Sequence, residues 1–247
     1  MHILAIETTG PYCSAALIDE KNNIYVKNSD ERLNHLTTLM PMVKELLTEH
    51  KIEMTELDAI AASVGPGSFT GIRIGVTTAR GMAQVLDKEC IAVPTLYAFA
   101  RGLRDACEAE KNRGAKTAFC PMFDARRKQI YSCCLIGDEE AVPAGAYDPD
   151  VFFENLENAM KEHGADTVVF AGDGVSVYGK HAKSTMENRG FKVVLEENRF
   201  QEAGAVAKTA MEMYQTGRTV SFEKLKPEYM RKPEAQRRLE ERLKDLK

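Results

Sequence analysis

Positions 58–86 of this chain predict a strand, a glycine turn and a helix in direct succession. Their sequence is DAIAASVGPGSFTGIRIGVTTARGMAQVL. The apolar run 59–64 predicts a strand buried on both faces. Gly65-Pro66-Gly67 ends it, because glycine permits backbone angles closed to other residues and proline lacks an N–H. Ser68 then suits the N-cap of the helix that follows. A unit of this kind points to an α/β fold.

The predicted helix carries one apolar face and three glycines. The apolar positions recur at helical spacing and are Ile72, Val76, Ala79, Ala83 and Leu86. Each glycine, at 71, 75 and 81, weakens a helix by roughly 1 kcal/mol relative to alanine. We therefore expect another backbone or a partner helix to approach this helix closely.

The glycine turn can be compared with known phosphate-binding motifs. No Gly-Lys-Ser/Thr closes it, so it is not a Walker P-loop. Gly65, Gly67 and Gly71 give G-x-G-x-x-x-G, one position out of step with the dinucleotide fingerprint. An anion site at the helix N-terminus and a plain tight turn both remain open.

Composition narrows the class of protein. A net charge of -4 and a pI near 5.8 argue against a generally basic chain that coats nucleic acid, although a local basic patch stays possible. The six cysteines form no C-x-x-C pair, which favours buried free thiols over disulfides. The N-terminus reaches Glu7 without a long apolar run, and no apolar segment approaches about 20 residues. We expect a cytoplasmic protein without a membrane segment.

The order of predicted elements suggests two similar halves. Three strands come first, then a helix from His35 in which Pro41 either causes a kink or marks the true first turn, then alternating strands and helices. A charged stretch ending at Gly114 marks the predicted boundary, giving domains 1–110 and 111–220, with the last helix free to pack back on the first domain. The tail 221–247 is charged; it predicts either a solvated helix or a docking segment, with Leu239, Leu243 and Leu246 on one face.

Several strings appear in an order that is characteristic of one family. They are ILAIETTG at the N-terminus, the helix start His35-Leu36, VGPGSFTGIRIG, DARRKQIY, the GDG turn and the late PEYMR. Together they resemble the TsaB family, also called YeaZ, over nearly the whole chain.

The resemblance implies a two-domain actin-like (ASKHA, ribonuclease H-like) fold with mixed sheets flanked by helices. It also implies a scaffold subunit of the bacterial machinery that makes threonylcarbamoyladenosine beside the anticodon of tRNAs reading codons that begin with A. The implied partners are the paralogous transferase TsaD, the ATPase TsaE and a second copy of the chain, with tRNA reached through the complex. TsaC supplies the threonylcarbamoyl-adenylate.

Metal binding is where this chain departs from TsaD. In TsaD, V-N-H-L-E-A-H holds a metal ion through two histidines, and the matching stretch here is VPTLYAF, residues 93–99. Thr95 and Phe99 stand in the two ligand positions, and the five histidines of the chain show no pair at ligand spacing. We therefore expect no metal site and no catalytic residue.

The resemblance implies that two turns correspond to the phosphate cradle of actin-like proteins. They comprise Glu7, Thr8 and Thr9 in the first half and Gly172, Asp173 and Gly174 in the second. One interpretation is residual, weak ATP or ADP binding without a dedicated cofactor; the other is turns retained for packing.

The resemblance also implies a partner surface on the first two helices. The residues expected on it are Leu36, Leu39, Met40, Val43, Arg73, Thr77, Arg80 and Gln84. Small residues permit close helix approach, and methionine adapts to more than one partner.

Two classes of function follow. The first is a non-catalytic scaffold that dimerises with TsaD and activates it; the alternative is a stand-alone nucleotide phosphohydrolase or kinase. A glycoprotease is disfavoured because no zinc motif and no Ser/His set is present. Asp124 with Arg126, Arg127 and Lys128 is the densest charge cluster and predicts either a solvated turn or a contact with phosphates or carboxylates.

Overall fold

Two mixed β-sheets form the framework of the chain, which a computed structural model describes for residues 1–109, 117–196 and 199–230. The first half contains β1 (His2–Glu7), β2 (Ser14–Asp19), β3 (Ile24–Asn28), α1 (His35–Glu49), β4 (Ala59–Gly65), α2 (Phe69–Leu86), β5 (Glu89–Pro94) and α3 (Thr95–Ala109). The second half contains β6 (Thr117–Pro121), β7 (Phe123–Asp124), β8 (Ile130–Ile136), β9 (Glu139–Tyr147), α4 (Pro149–His163), β10 (Thr167–Ala171), α5 (Val175–Asn188), β11 (Lys192–Glu196) and α6 (Ala203–Gln215).

The first sheet has the order β3-β2-β1-β4-β5. β2 runs antiparallel to β1 and β3, with Ile3 opposite Ile18, whereas β1, β4 and β5 are parallel. Parallel strands end at the same edge, so the β1–β2 turn, the glycine turn after β4 and the start of α3 meet there.

The second sheet has the order β11-β10-β6-β8-β7, and β9 pairs with β8. β6, β10 and β11 are parallel, and β8 is antiparallel to β6. The turn Gly172-Asp173-Gly174 therefore follows β10 at the carboxyl edge of this sheet, in the place that the glycine turn has in the first.

The helices between the two sheets are exchanged between the halves of the chain. α1 and α2 cover one face of the first sheet, and α4 and α5 cover one face of the second. The other face of the first sheet is covered by α6, and the other face of the second sheet by α3. α3 and α6 also pack on each other, joined by an Arg101–Glu212 ion pair and by Lys208 Nζ to Asp105 at 2.5 Å.

Most predicted elements are confirmed. α1 starts at His35 and holds Pro41 in its interior, so the alternative in which Pro41 marks the first turn is wrong. α6 packs back on the first sheet, as the sequence allows. β9 is missed from sequence because Pro143 and Gly145 weaken the strand signal; it pairs with β8 through an irregular register. The predicted boundary at Gly114 and the tail beyond residue 230 lie outside the described residues.

Residues 218–230, here called the C-terminal strap, return to the first sheet after α6. Val220 and Cys90 exchange two backbone hydrogen bonds of 2.8 and 2.9 Å. Leu225 is fully buried in the core under α1 and α2, and the Glu228 amide donates to the Val64 carbonyl at 2.7 Å. The strap thus ends against the glycine turn and the first turn of α2.

The two mixed sheets flanked by helices confirm the predicted α/β fold class. All six cysteines are buried free thiols, also as predicted. Within the three described ranges, no helix combines the length and the apolar character needed to cross a bilayer.

Candidate interaction surface

The β1–β2 turn is closed by its own side chains. Glu7 is 1% exposed; its carboxylate accepts hydrogen bonds from the Thr9 amide and from the Ser63 hydroxyl on β4. Burial raises the pKa of Glu7, and the hydrogen bonds from Ser63 and Thr9 only partly offset that rise. The carboxyl group therefore ties β1, its turn and β4 together.

Thr8 and Thr9 are held against α2 and its preceding turn. The Thr8 hydroxyl donates to the Gly71 carbonyl at 2.7 Å, and the Ser68 amide donates to the Thr9 carbonyl at 2.8 Å. A Cβ at Gly71 would lie 2.0 Å from the Thr8 carbonyl oxygen. The close backbone approach expected of the α2 glycines is therefore met here by the chain itself.

This turn does not fit the phosphates of a nucleotide. The Thr9 amide is already bound to Glu7, and both threonines are at most 2% exposed. Thr9 Oγ1, His35 Nδ1 and Gln201 Oε1 are buried without a hydrogen-bond partner among the described residues.

The second predicted turn is bound to its own sheet. The Asp124 amide donates to Asp173 Oδ1 at 3.1 Å, and Gly172 and Gly174 lie against the Met122 carbonyl. Burial raises the pKa of Asp173. The structure thus brings Glu7, Thr8 and Thr9 together, and separately Gly172, Asp173 and Gly174, each group within its own half.

The basic turn beside it has unusual backbone geometry. Arg126, Arg127 and Lys128 all have positive φ, between 54° and 62°, and all three are exposed. Arg126 forms an ion pair of 3.2 Å with Asp124. The charge cluster is therefore a solvated hairpin end whose cations are partly neutralised.

Thr95 and Phe99, which the resemblance matches to the metal ligands of TsaD, are parts of the core. The Thr95 hydroxyl, 1% exposed, accepts a hydrogen bond from the Gly65 amide at 3.1 Å. Phe99 is 5% exposed, and its ring centroid lies 5.2 Å from that of Phe123. No cluster of three metal-ligating side chains occurs in the part of the chain that the structure describes.

A cleft of about 620 Å³ opens at the carboxyl ends of β4 and β5. Its walls include Pro66, Tyr97, Met213 and Tyr229, with Arg101 at one side. Arg101 is already paired with Glu212. The lining is mainly apolar, and its chemistry does not point to a reaction.

The exposed side of α1 and α2 carries most of the predicted partner residues. Leu36 is 76% and Met40 39% exposed, although both are large and apolar. On α2 the exposed residues include Phe69, Arg73, Thr77, Arg80 and Gln84. These seven residues, Leu36, Met40, Phe69, Arg73, Thr77, Arg80 and Gln84, are called the α1/α2 face below.

Two of the predicted partner residues are wrong. Leu39 is 1% exposed and Val43 is fully buried, both in the core between α1 and the first sheet. α1 has two apolar stripes, and the longer one, which includes Leu39, Val43 and Leu46, packs on the sheet. Only the shorter stripe, Leu36 and Met40, is free to meet a partner.

Two residues of this surface are missed from sequence. Phe69 stacks on Tyr229 of the C-terminal strap with ring centroids 5.0 Å apart. The Arg73 guanidinium lies 4.0 Å from the Phe69 ring centroid, and its Nε donates to the Tyr229 hydroxyl at 2.8 Å. Phe69 could have been found as an aromatic residue off the apolar face of α2; Tyr229 lies 156 positions from Arg73 and gives no local signal.

Comparison with known proteins identifies the family of this chain. The family model described as TsaD, tRNA N6-adenosine threonylcarbamoyltransferase, matches residues 29–239. A tRNA threonylcarbamoyladenosine biosynthesis protein TsaB from Escherichia coli (strain K12) is 30% identical over 246 residues, 97% of this chain and 98% of the relative. The chain belongs to the TsaB family, within the wider TsaD family.

Other TsaB-family proteins support the assignment. The TsaB protein of Bacillus subtilis (strain 168) is 30% identical over 191 residues, 77% of this chain and 79% of the relative. The structure of YeaZ from Pseudomonas aeruginosa superposes with a TM-score of 0.68 at 26% identity, covering 92% of this chain and 99% of YeaZ. A second structure from that organism, described as similar to peptidase YEAZ, gives 0.73 at 27% identity, covering 93% and 99%.

Proposed function

We propose that this chain is a non-catalytic subunit of tRNA threonylcarbamoyladenosine synthesis that binds and activates a TsaD-type transferase through the α1/α2 face. The observation that carries the proposal is the exposure of Leu36, Met40 and Phe69 on two adjacent helices of a TsaB-family chain. Large apolar side chains gathered on one surface and flanked by arginines are typical of a protein interface.

The composition of α2 suits a helix–helix contact. A Cβ added at Gly81 would meet no atom of the described residues within 4 Å, so a partner backbone can come close there. Thr77 and Gln84 are exposed on the same helix and offer hydrogen bonds at the rim. Met40 on α1 can adapt to either of two partners, a second copy of this chain or a TsaD-type subunit.

The non-catalytic part of the proposal is supported by the residues that stand in the expected metal-ligand and phosphate-binding positions. Thr95 and Phe99 are packed into the core, and Phe99 has no donor atom. The Thr9 amide in the Glu7–Thr9 turn is bound to Glu7 and is not free for a phosphate. On the proposal, the TsaD-type partner holds the metal ion, TsaE supplies ATPase activity, and tRNA is reached through the complex.

Reconstitution tests the proposal. Threonylcarbamoyladenosine formation on a tRNA that reads codons beginning with A is measured with TsaC, TsaD and TsaE, with and without this chain. We expect product only in the complete mixture, and no ATP turnover by this chain alone with Mg²⁺. Steady ATP turnover by the isolated chain would instead support the phosphohydrolase or kinase alternative.

A matched pair of variants locates the surface. Leu36→Asp places a charge on the α1/α2 face, and Val177→Asp places one on α5, where Val177 is 60% exposed. Both side chains are on the surface, so we expect both variants to fold. Leu36→Asp should abolish co-elution with TsaD on size exclusion with light scattering, whereas Val177→Asp should retain it; retention by both would refute the assignment of the face.

A further inference from the structure

Arg73 is held in place on two sides although it is exposed. Its guanidinium carbon lies 4.0 Å from the centroid of the Phe69 ring and 5.9 Å from that of Tyr229. Its Nε donates to the Tyr229 hydroxyl at 2.8 Å. An arginine oriented in this way has lost much of its side-chain freedom before any partner arrives.

The two terminal nitrogens of Arg73 face no acceptor within the described ranges. Toward the described residues, this side chain makes contacts through Nε and the face of the guanidinium only. A guanidinium presents two parallel N–H groups that match the two oxygens of a carboxylate. The arrangement therefore offers a preformed fork for a bidentate acceptor.

No carboxylate among the described residues neutralises the fork. α2 contains Arg73 and Arg80 and no Asp or Glu. Glu228 is next to Tyr229 in the sequence, yet it forms no ion pair with Arg73 in the described part of the chain; its amide is bound to Val64. On a chain with a net charge of -4, this is a local positive site on an apolar surface.

The chemistry of the surroundings favours a protein partner with acidic residues. Pairing α2 with α2 of a second copy would bring arginines together, and on α1 Glu45 and Glu49 are already bound to Lys27. An RNA backbone would require more cations than the two arginines that α2 contributes among the described residues. Arginine and aromatic residues clustered in this way are typical of interface hot spots.

We propose that Arg73, oriented by Phe69 and Tyr229, receives a carboxylate from a helix of a heterologous protein partner, and that Tyr229 is the positioning residue that links the C-terminal strap to this contact. The inference rests on the proposed function and names the chemistry that the TsaD-type partner must supply. The strap thereby contributes to a surface otherwise built by α1 and α2.

Titration calorimetry with the TsaD-type partner tests this at low and high salt. We expect Arg73→Gln to weaken binding about 10- to 100-fold and to reduce its salt dependence, with Arg73→Lys weakened less. Tyr229→Phe keeps the ring and removes the hydroxyl that accepts the hydrogen bond from Arg73 Nε, so it should weaken binding by less than Arg73→Gln. The double variant should bind no worse than Arg73→Gln alone, because Tyr229 acts through Arg73.

The control is Lys180→Gln, since Lys180 is exposed on α5 and lies outside both the strap and the α1/α2 face. It should bind as the unmodified chain does. Additive losses from Arg73→Gln and Tyr229→Phe, or unchanged binding by Arg73→Gln, would overturn the inference. Loss of tRNA retention on a filter by Arg73→Gln, with partner binding intact, would overturn it in favour of phosphate.

The same series separates the two proposals. If Leu36→Asp abolishes partner binding and Arg73→Gln leaves it unchanged, the α1/α2 face stands and only the role of Arg73 fails. If Leu36→Asp also leaves binding unchanged, the proposed function fails. Thermal unfolding of each variant confirms that it is folded.

Discussion

The Thr8 hydroxyl donates a hydrogen bond of 2.7 Å to the carbonyl of Gly71, 63 positions further along the chain. The bond joins the turn after β1 to the first turn of α2. It forms because Gly71 has no side chain to separate the two backbones. The strand–turn–helix unit and the N-terminal hairpin are therefore one packed structure.

The glycines of α2 should respond in opposite directions to alanine. Gly71→Ala would place a Cβ 2.0 Å from the Thr8 carbonyl oxygen, and we expect it to lower the free energy of unfolding by about 1–3 kcal/mol or more. Gly81 has open space, so Gly81→Ala should raise that free energy by about 0.5–1 kcal/mol. Urea unfolding measures both, and a Gly71→Ala chain as stable as the original would contradict the observed packing.

The two apolar stripes of α1 should differ in how much they contribute to the free energy of unfolding. Leu39→Ala removes a buried side chain and should cost about 2–5 kcal/mol of unfolding free energy. Leu36→Ala removes an exposed one and should change it by no more than about 0.5 kcal/mol. Denaturant unfolding of the isolated chain distinguishes the two. Equal losses would mean that Leu36 is covered in solution, for example by a second copy.

Glu7 should make stability fall as pH rises. Burial raises its pKa above the ordinary value of 4.5, so the folded state favours the protonated form. The contribution of Glu7 to the free energy of unfolding is then fully present below pH 4.5, declines as the pH rises toward the raised pKa, and is constant above it. Each unit by which the pKa is raised corresponds to about 1.4 kcal/mol of this decline.

Glu7→Gln imitates the protonated form and can still accept from the Thr9 amide. We expect this variant to lose the decline, so that it is more stable relative to the original chain at pH 8 than at pH 4. Unfolding at both pH values checks the sign. A difference that moves the other way would show that the carboxylate is stabilised as an anion.

The Arg101–Glu212 ion pair between α3 and α6 should have the opposite pH dependence. The hydrogen bond from Arg101 lowers the pKa of Glu212 below 4.5, so its contribution is present above pH 4.5 and is lost as the pH falls. Glu212 is 41% exposed, and solvent limits the effect of Glu212→Gln to about 0.2–1 kcal/mol at pH 7. The control Glu154→Gln, on the exposed side of α4, should have no such effect; equal losses in both variants would rule out the pair.

Much of the fold could be predicted because its elements carry strong local patterns. Within 29 consecutive residues, the sequence pattern predicts the buried strand 59–64, the N-cap at Ser68 and the apolar face of α2. β9 could not be predicted, since Pro143 and Gly145 obscure a strand that only its pairing with β8 reveals.

The site was harder to predict than the fold. Apolar periodicity marks which residues of α1 are candidates for burial, but it does not assign Leu36 to solvent and Leu39 to the sheet. The lengths of the two stripes carry that signal, because the sheet needs the longer one. The Arg73–Tyr229 contact depends on where the strap ends, which is a property of the whole fold.

The exchange of α3 and α6 makes the two halves interdependent. Each sheet obtains one of its covering helices from the other half of the chain. A cut between the halves would leave each fragment with a bare sheet face and an orphaned apolar helix. Neither half is therefore a separable module, and opening of the molecule about a hinge, as in enzymes that close on substrate, would have to break the contacts between α3 and α6, including the Arg101–Glu212 ion pair.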